Sequence, residues 1–206
     1  MEHIVPILII LFAAMVVHEY AHAWVAYRLG DPTAKMAGRM TLNPLKHIDP
    51  FGTIGLPVIL TALRFLGSPF FPIALAKPVP VNFLRLHNPK RDMIWVGLAG
   101  PAVNVVIAIA LSLCLKFSPP VNVRGLIDTG IYINLILAIF NMVPIPPLDG
   151  SRLVMGLLPN RLAAPYGRLE RFGIVIIFAL LPLGLFDKVV LPLSFFCAYL
   201  LGVQFQ

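Results

Sequence analysis

Long apolar runs constrain this chain more than any other feature of its sequence. A membrane-spanning helix needs about 20 apolar residues, and five stretches come close to that length: residues 4–27, 93–116, 129–147, 172–186 and 189–203. Hydrophobic residues make up 59% of the 206 residues and charged residues 12%, against about 25% charged residues in soluble proteins. A soluble domain of this size could not bury so much apolar surface. The composition therefore excludes a soluble enzyme, a nucleic-acid-binding protein and a disordered chain.

A sixth apolar stretch, residues 51–66, is shorter and contains Pro57 and Arg64. It is a short span, a re-entrant segment or an interfacial helix. If it dips into the membrane and returns, the basic loops on both sides of it and the basic loop between residues 147 and 172 all lie on one side. Because basic loops face the cytoplasm and the net charge is +7, the non-crossing path is favoured. We expect a multi-pass protein of the cell membrane.

The spans and the prolines together predict the fold class. We expect residues 1–206 to form one all-α polytopic membrane domain with a re-entrant segment or short extra helix at residues 51–66. The first apolar run is predicted to be retained, because no basic segment precedes it and no small-residue cleavage site follows it. Apolar residues alternate with Pro and Asn at residues 79–83, which predicts a small membrane-associated β element.

The sequence H-E-Y-A-H at residues 18–22 lies within the first apolar run. On a helix, His18 and His22 share one face and can reach one zinc ion, while Glu19 can act on a zinc-bound water. Ionisable groups inside a membrane helix are costly unless they are paired or hydrated, so a functional site is favoured. Two other interpretations stay open: a His/Glu pair that stabilises a helix bundle, and a proton or ion relay.

A catalytic zinc ion needs a third protein ligand and an open position. Asp149 is the candidate, because it follows the third apolar run directly. His18 lies ten residues from Arg28, or about 15 Å along a helix, and under the non-crossing path both acid and histidine approach the cytoplasmic half. The alternative role for Asp149 is a helix cap beside a proline-rich turn.

Five motifs in one order carry a resemblance that covers most of the chain. They are H-E-x-x-H at 18–22, N-P-L-K-H-I-D-P at 43–50, A-K-P-V-P-V-N at 76–82, A-G-P-A-V-N at 99–104 and N-M-V-P-I-P-P-L-D-G at 141–150. Together they resemble the site-2 protease family of intramembrane zinc metalloproteases, in its compact prokaryotic form without a PDZ or CBS domain. The resemblance implies a three-helix protease core at residues 4–27, 93–116 and 129–147. The C-terminal spans at 172–186 and 189–203 are then additional.

The resemblance also implies roles for individual residues. His18, His22 and Asp149 would hold one Zn²⁺ per chain, with Glu19 as the catalytic acid and base. Asn141 would take part in substrate handling, and the segment 77–82 would clamp an extended substrate. The substrate would be a transmembrane protein cut within or near its membrane helix.

Three further residues have two readings each. Asn104 either holds a substrate carbonyl or oxyanion, or is a small polar residue at a helix interface. His47 and Asp49 either orient a zinc histidine through hydrogen bonds or belong to the turn before Pro50.

Two other functions remain open beside the protease. The same four core residues would suit a transporter of metal ions or protons, or an inactive family member that acts as a membrane adaptor. Besides the substrate and the lipid bilayer, the expected partners are a second copy of the chain or a regulatory membrane protein, and no nucleic acid is expected.

Overall fold

A computed structural model describes residues 4–55 and 77–203 of the protein, together with residues 58, 59 and 62. In this part of the chain the α-helices are α1 (Ile4–Arg28), α2 (Thr33–Met36), α3 (Pro89–Leu115), α4 (Val121–Asn141), α5 (Gly150–Leu157), α6 (Asn160–Gly167), α7 (Gly173–Leu180) and α8 (Leu191–Leu200). Short 3-10 turns cover Pro44–His47, Phe83–Arg85 and Arg168–Phe172, and π-helical turns cover Pro50–Gly55 and Phe186–Val190.

Three of these helices, α1, α3 and α4, are long and apolar enough to cross a membrane. Many of their large apolar side chains, such as Ile9, Val106 and Ile109, are exposed on the outside of the bundle. A helix that is apolar on its outer face as well as its inner face suits a lipid environment. The structure therefore confirms an all-helical architecture with three candidate spans.

The three long helices pack side by side in alternating directions. Gly100 of α3 faces His18 of α1, and Val96, one turn earlier, bonds to His22, so α1 and α3 are antiparallel. Ala108 of α3 packs with Ile131 and Leu135 of α4, which follows after the short connection at residues 116–120.

The long connection between α1 and α3 starts and finishes at the same end of the bundle. The N–H of His87 donates to the carbonyl of Leu29 at 2.9 Å, directly after α1 and just before α3. The predicted extra segment at residues 51–66 belongs to this connection. Only the turn Pro50–Gly55 and residues 58, 59 and 62 of it are described, and the rest of the predicted segment lies outside the described residues.

The third span differs from its prediction at both ends. It begins at Val121 instead of residue 129 and ends at Asn141 instead of residue 147. Arg124 and Asp128 pair across one helical turn at 3.7 Å, which lets two charged residues lie within an otherwise apolar helix. The early end has a simple cause, because prolines at 144, 146 and 147 lack the N–H that a continuing helix needs.

The two predicted C-terminal spans are not confirmed. Neither residues 172–186 nor residues 189–203 form one long helix, since α7 has eight residues and α8 has ten. Gly184 adopts a positive φ of 96° in the turn after α7, a conformation that glycine tolerates and other residues avoid. Nearby Pro182 also lacks an N–H to donate. Hydropathy alone does not register these breaks.

The predicted β element is not confirmed either. Residues 77–82 are neither helical nor part of a strand ladder among the described residues. Pro78 and Pro80 have no N–H, which leaves too few donors for a regular ladder. The N–H groups of Val79 and Asn82 instead donate to the carboxylates of Glu19 and Asp31.

Candidate metal centre

Helix α1 presents the first three candidate residues from within the bundle. His18 and His22 are four residues apart, so they share one face of the helix, and both are buried. Their rings are 4.7 Å apart between centroids and nearly perpendicular. Their Nε2 atoms lie 3.0 Å from each other.

Asp149 reaches the histidines from the turn between α4 and α5. A Cβ atom on Gly150 would lie 2.2 Å from the carbonyl oxygen of Met142, so only glycine lets the chain fold back this closely on the end of α4. The hydroxyl of Tyr166 donates to the carbonyl of Pro144 at 2.8 Å and so ties the same turn to α6. This backbone path brings Asp149 to a site 131 residues away in sequence.

Three ligand atoms converge on one point. Oδ2 of Asp149 lies 3.1 Å from Nε2 of His18 and 3.2 Å from Nε2 of His22. Zinc ligands at about 2.0 Å from the ion occupy tetrahedron corners about 3.3 Å apart, so the observed spacing fits three corners. Two imidazoles and one carboxylate are a donor set that zinc accepts, with the fourth corner left for water or substrate. His18, His22 and Asp149 are thus the group of potential metal ligands found among the described residues.

The second nitrogen of His22 has a fixed partner. Its Nδ1 lies 2.7 Å from the carbonyl oxygen of Val96. A carbonyl only accepts, so Nδ1 must carry the proton and Nε2 keeps its lone pair for a metal. The backbone of α3 thereby sets the tautomer of this histidine, as hydrogen-bonding partners of metal ligands commonly do.

Helix α3 also forms a close wall beside the ligands. A Cβ atom on Gly100 would lie 2.3 Å from Nε2 of His22 and 2.5 Å from Nε2 of His18. One turn earlier, a Cβ atom on Gly97 would lie 3.0 Å from the carbonyl oxygen of Asp149. The two glycines let α3 approach both halves of the site.

The carboxylate of Asp149 is held in its ionised form. When no metal is bound, Nε2 of His22 can carry a second proton. The positive charge of His22 and the hydrogen bonds from both histidines then outweigh burial, which alone would raise the pKa of Asp149, and lower this pKa below its ordinary range. An ionised carboxylate is the form that binds a metal cation.

Glu19 lies next to the first histidine and contacts a distant part of the chain. Its Oε2 accepts a hydrogen bond from the N–H of Val79 at 2.8 Å. The sequence motif predicts where Glu19 stands on α1, but nothing in the sequence marks Val79 as its partner, because every residue except proline carries a backbone N–H.

The two asparagines differ in how their amides are used. Asn141 donates to the carbonyl of Leu137 at 2.9 Å, within its own helix. Asn104 lies one turn beyond Gly100 on α3, is fully buried, and neither its amide nitrogen nor its amide oxygen has a hydrogen bond partner in the described part of the chain. An unpaired buried amide is costly, which favours a ligand-binding role for Asn104 over a packing role.

His47 and Asp49 lie on the connection after α2. His47 is fully buried, and its Nε2–H donates to the carbonyl of Thr41 at 2.9 Å. The carboxylate of Asp49 accepts from the N–H of Gly52 at 2.6 Å. These bonds suit turn residues, and the predicted role of orienting a zinc histidine stays a prediction.

Two charged residues that hold neighbouring parts of the chain together, Asp31 and Arg152, were not predicted from the sequence. Asp31 is fully buried and accepts hydrogen bonds from Thr33 and from the N–H of Asn82. Arg152, three residues after Asp149, forms a two-point pair with Glu170 at 2.6 and 3.0 Å and lies over the ring of Phe83. The low number of acidic residues indicates that Asp31 needs a partner, but it indicates neither which partner that is nor that Asp31 is buried.

Comparisons with known proteins show the family of the chain. Residues 118–184 match the model of peptidase family M50. The chain is 37% identical over 194 residues to "Putative zinc metalloprotease YwhC" of Bacillus subtilis, across 88% of this chain and 83% of that protein. No solved structure matches the chain.

Two more distant relatives are longer proteins. "Putative zinc metalloprotease Rip2" of Mycolicibacterium smegmatis is 34% identical over 142 residues, which is 66% of this chain and 51% of the relative. "Zinc metalloprotease MJ0392" of Methanocaldococcus jannaschii is 26% identical over 164 residues, which is 79% of this chain and 36% of the relative. Because the similarity to the Bacillus protein covers most of both chains, the chain belongs to peptidase family M50, the site-2 protease family of intramembrane zinc metalloproteases.

Proposed function

We propose that the protein is an intramembrane zinc endopeptidase, which hydrolyses peptide bonds within or near the transmembrane helices of other membrane proteins. The observation that carries this proposal is the convergence of His18, His22 and Asp149, whose ligand atoms all lie within 4.8 Å of one another. Two of the three ligands are buried within a helix that is long enough to span a bilayer. Family membership supports the reaction and the metal.

The chemistry divides between the metal and the chain. His18, His22 and Asp149 would hold the zinc ion, which would supply a Lewis acid and would lower the pKa of the attacking water toward about 7. Glu19 accepts the proton of the attacking water and passes it to the nitrogen of the leaving amine. The Val96 carbonyl keeps His22 in the tautomer that metal binding requires.

Substrate handling falls to residues around the ligands. The amide nitrogen of Asn104 has no partner among the described residues and can donate to a substrate carbonyl or a developing oxyanion. Asn141, the last residue of α4, is the second amide that would take part in substrate handling. The segment 77–82 offers an extended backbone edge for a substrate that has unwound from its helix.

We further infer the setting of this single protease domain in the membrane. The basic residues concentrated at the end of the bundle that joins α1 to α3 favour a cytoplasmic location for that end, and the site then lies toward the cytoplasmic half of the cell membrane. The exposed apolar residues of α7 and α8, such as Val175 and Phe196, suit a position in the bilayer. The partners are a transmembrane substrate and lipid, and a second copy or a regulatory membrane protein is a further candidate.

The test begins with metal content, because it needs no substrate. Detergent-purified wild type is expected to hold about one zinc per chain, whereas His22→Ala and Asp149→Ala lose it. His87→Ala is the matched control, since His87 is exposed and outside the site. Zinc in Asp149→Ala at the wild-type level would exclude this carboxylate as a ligand.

The second arm separates hydrolysis from metal binding. Glu19→Gln is expected to keep its zinc and to lose cleavage of a single-span reporter helix that wild type cuts in detergent. Cleavage near the wild-type rate in Glu19→Gln would contradict the proposed role of Glu19. Flux of zinc across liposomes containing the protein would instead favour transport.

A further inference from the structure

The segment 77–82 is fixed to the protein at both ends. At its start, the N–H of Lys77 donates to the carbonyl of His47 at 3.0 Å, and Arg39 donates to the carbonyl of Lys77 at 2.8 Å. At its other end, the N–H of Asn82 donates to the buried carboxylate of Asp31 at 2.6 Å. The segment is therefore anchored without any help from Glu19.

The middle of the segment is anchored as well. The side chain of Val79 is buried and packs against Ala23 of α1 and Ala34 of α2. This packing presses Val79 onto the face of α1 that lies one turn beyond Glu19. The backbone N–H of Val79 then points at Oε2 of Glu19, 2.8 Å away.

The anchors indicate that the segment positions Glu19, and not that Glu19 positions the segment. A glutamate side chain has three rotatable bonds and loses entropy when it is held in one conformation. The segment is already held by three other hydrogen bonds and by the packing of Val79. The bond to Glu19 therefore adds little to its attachment but removes most of the freedom of the Glu19 carboxylate. Oε1 of Glu19 accepts no hydrogen bond from the residues that the structure describes, and it is left for another partner.

We propose that the backbone N–H of Val79 is a positioning group for Glu19: it holds Oε2 and so directs Oε1 toward the attacking water. The inference rests on the proposed function, in which Glu19 is the catalytic base. Orientation of a catalytic group to within a fraction of an ångström has large effects on rate. Val79 acts through Glu19 and needs no contact with the substrate.

The first test measures hydrogen–deuterium exchange resolved to single amides, and it needs neither substrate nor metal. Val79 and Val81 both follow a proline, so their intrinsic exchange rates are closely matched, and Val81 has no hydrogen bond on its N–H among the described residues. We expect the Val79 amide to exchange at least about tenfold more slowly than the Val81 amide in wild type.

Two substitutions of Glu19 separate the hydrogen bond from burial. Glu19→Ala removes the acceptor and is expected to bring the Val79 rate close to the Val81 rate, whereas Glu19→Gln keeps a carbonyl oxygen and preserves the slow exchange. Equal rates in wild type, or slow exchange that persists in Glu19→Ala, would overturn the proposal.

The second test measures turnover of the reporter helix. Val79→Pro deletes the N–H. Position 79 precedes Pro80, which favours the extended or polyproline conformations that proline itself adopts. Val79→Ala is the matched control, because it keeps the N–H and removes side-chain volume. Relative to Val79→Ala, we expect Val79→Pro to lower kcat at least about tenfold, with KM within about threefold and the zinc content unchanged.

The outcomes distinguish this inference from the proposed function. If Glu19→Gln is inactive while Val79→Pro and Val79→Ala turn over equally, the positioning role is wrong and the protease assignment stands. If Glu19→Gln cleaves like wild type, the catalytic role of Glu19 itself fails.

Discussion

A Cβ atom on Gly100 would lie 2.3 Å from Nε2 of His22. The atom that meets it belongs to the metal-binding edge of a ring whose other edge is tied to the Val96 carbonyl. The ring can rotate away only by breaking that hydrogen bond. Helix α3 can therefore lie this close to the two histidines only because residue 100 has no side chain.

Gly100→Ala is accordingly expected to remove zinc while the protein stays folded. The added methyl group displaces the two imidazoles, which are side-chain ends and move more easily than the helix backbone. Zinc per chain falls from about one to background, and circular dichroism keeps its helical signal. Gly125→Ala in α4 is the control, because no atom lies within 4 Å of its virtual Cβ. Full zinc content in Gly100→Ala would mean that α3 lies further from the histidines than described here.

Asn104→Leu is expected to separate stability from activity. Leucine has nearly the same shape and removes two unsatisfied polar atoms, which is neutral or stabilising in a buried position, so Tm stays equal or rises. Turnover of the reporter falls by at least about tenfold if Asn104 stabilises the transition state.

Asn134→Leu provides the comparison for Asn104→Leu. Asn134 is also buried on a long helix, but its amide donates to the carbonyl of Gly130 at 2.8 Å. We expect this change to affect Tm more than turnover. A drop in the Tm of Asn104→Leu with normal turnover would assign Asn104 to packing.

Removal of zinc is expected to destabilise the wild-type protein. Metal that binds only the folded state stabilises by about 2.7 kcal/mol at 100 times its Kd, which corresponds to a fall in Tm of about 5–11 °C on chelation. Differential scanning fluorimetry in detergent measures it, and zinc added back restores the original Tm. Asp149→Ala is expected to show no response to the chelator, and a matching response in that variant would point to zinc bound elsewhere.

Asp31→Ala is expected to lower the free energy of unfolding by roughly 2–4 kcal/mol. The N–H groups of Thr33 and Asn82 and the Thr33 hydroxyl lose their charged acceptor, and a hydrogen bond to a charged group contributes about 1.5–3 kcal/mol. Denaturant unfolding in detergent micelles measures the change. Asp187→Ala, at an exposed carboxylate, stays within about 0.5 kcal/mol of wild type. A similarly small effect of Asp31→Ala would show that the segment 77–82 does not depend on this anchor.

The sequence allowed prediction of those parts of the site that depend on helical repeat and on chemistry. His18 and His22 share a face because of their spacing alone, and Asp149 follows from the need for a third ligand. The bond between Glu19 and Val79 could not be predicted, since it joins a side chain to a backbone group that carries no residue-specific signal. Burial of Asp31 was equally hidden, because an acid after a helix end also suits a solvent-exposed turn.

The fold was also predicted where the signal is local and was missed where it is not. Apolar length predicted α1 and α3 to within a few residues of their ends. Apolar length predicted two spans in the C-terminal region that are not confirmed. Hydropathy there is continuous, but the structure has two short helices with a turn at Gly184 between them. At α4 the prediction began too late, because Arg124 and Asp128 are charged and end the apolar run, although they pair with each other within the helix.

The separation of His18 and Asp149 by 131 residues also has a consequence for biosynthesis. At a translation rate of 5–20 residues per second, about 7–26 s pass between synthesis of the first ligand and synthesis of the last. During that time α1 is already in the translocation machinery or the bilayer, while the Asp149 partner of its two histidines has not yet been synthesised. Until residue 149 is made, Asp149 cannot pair with His18 and His22, so the polar residues of α1 must be hydrated or otherwise paired at this stage.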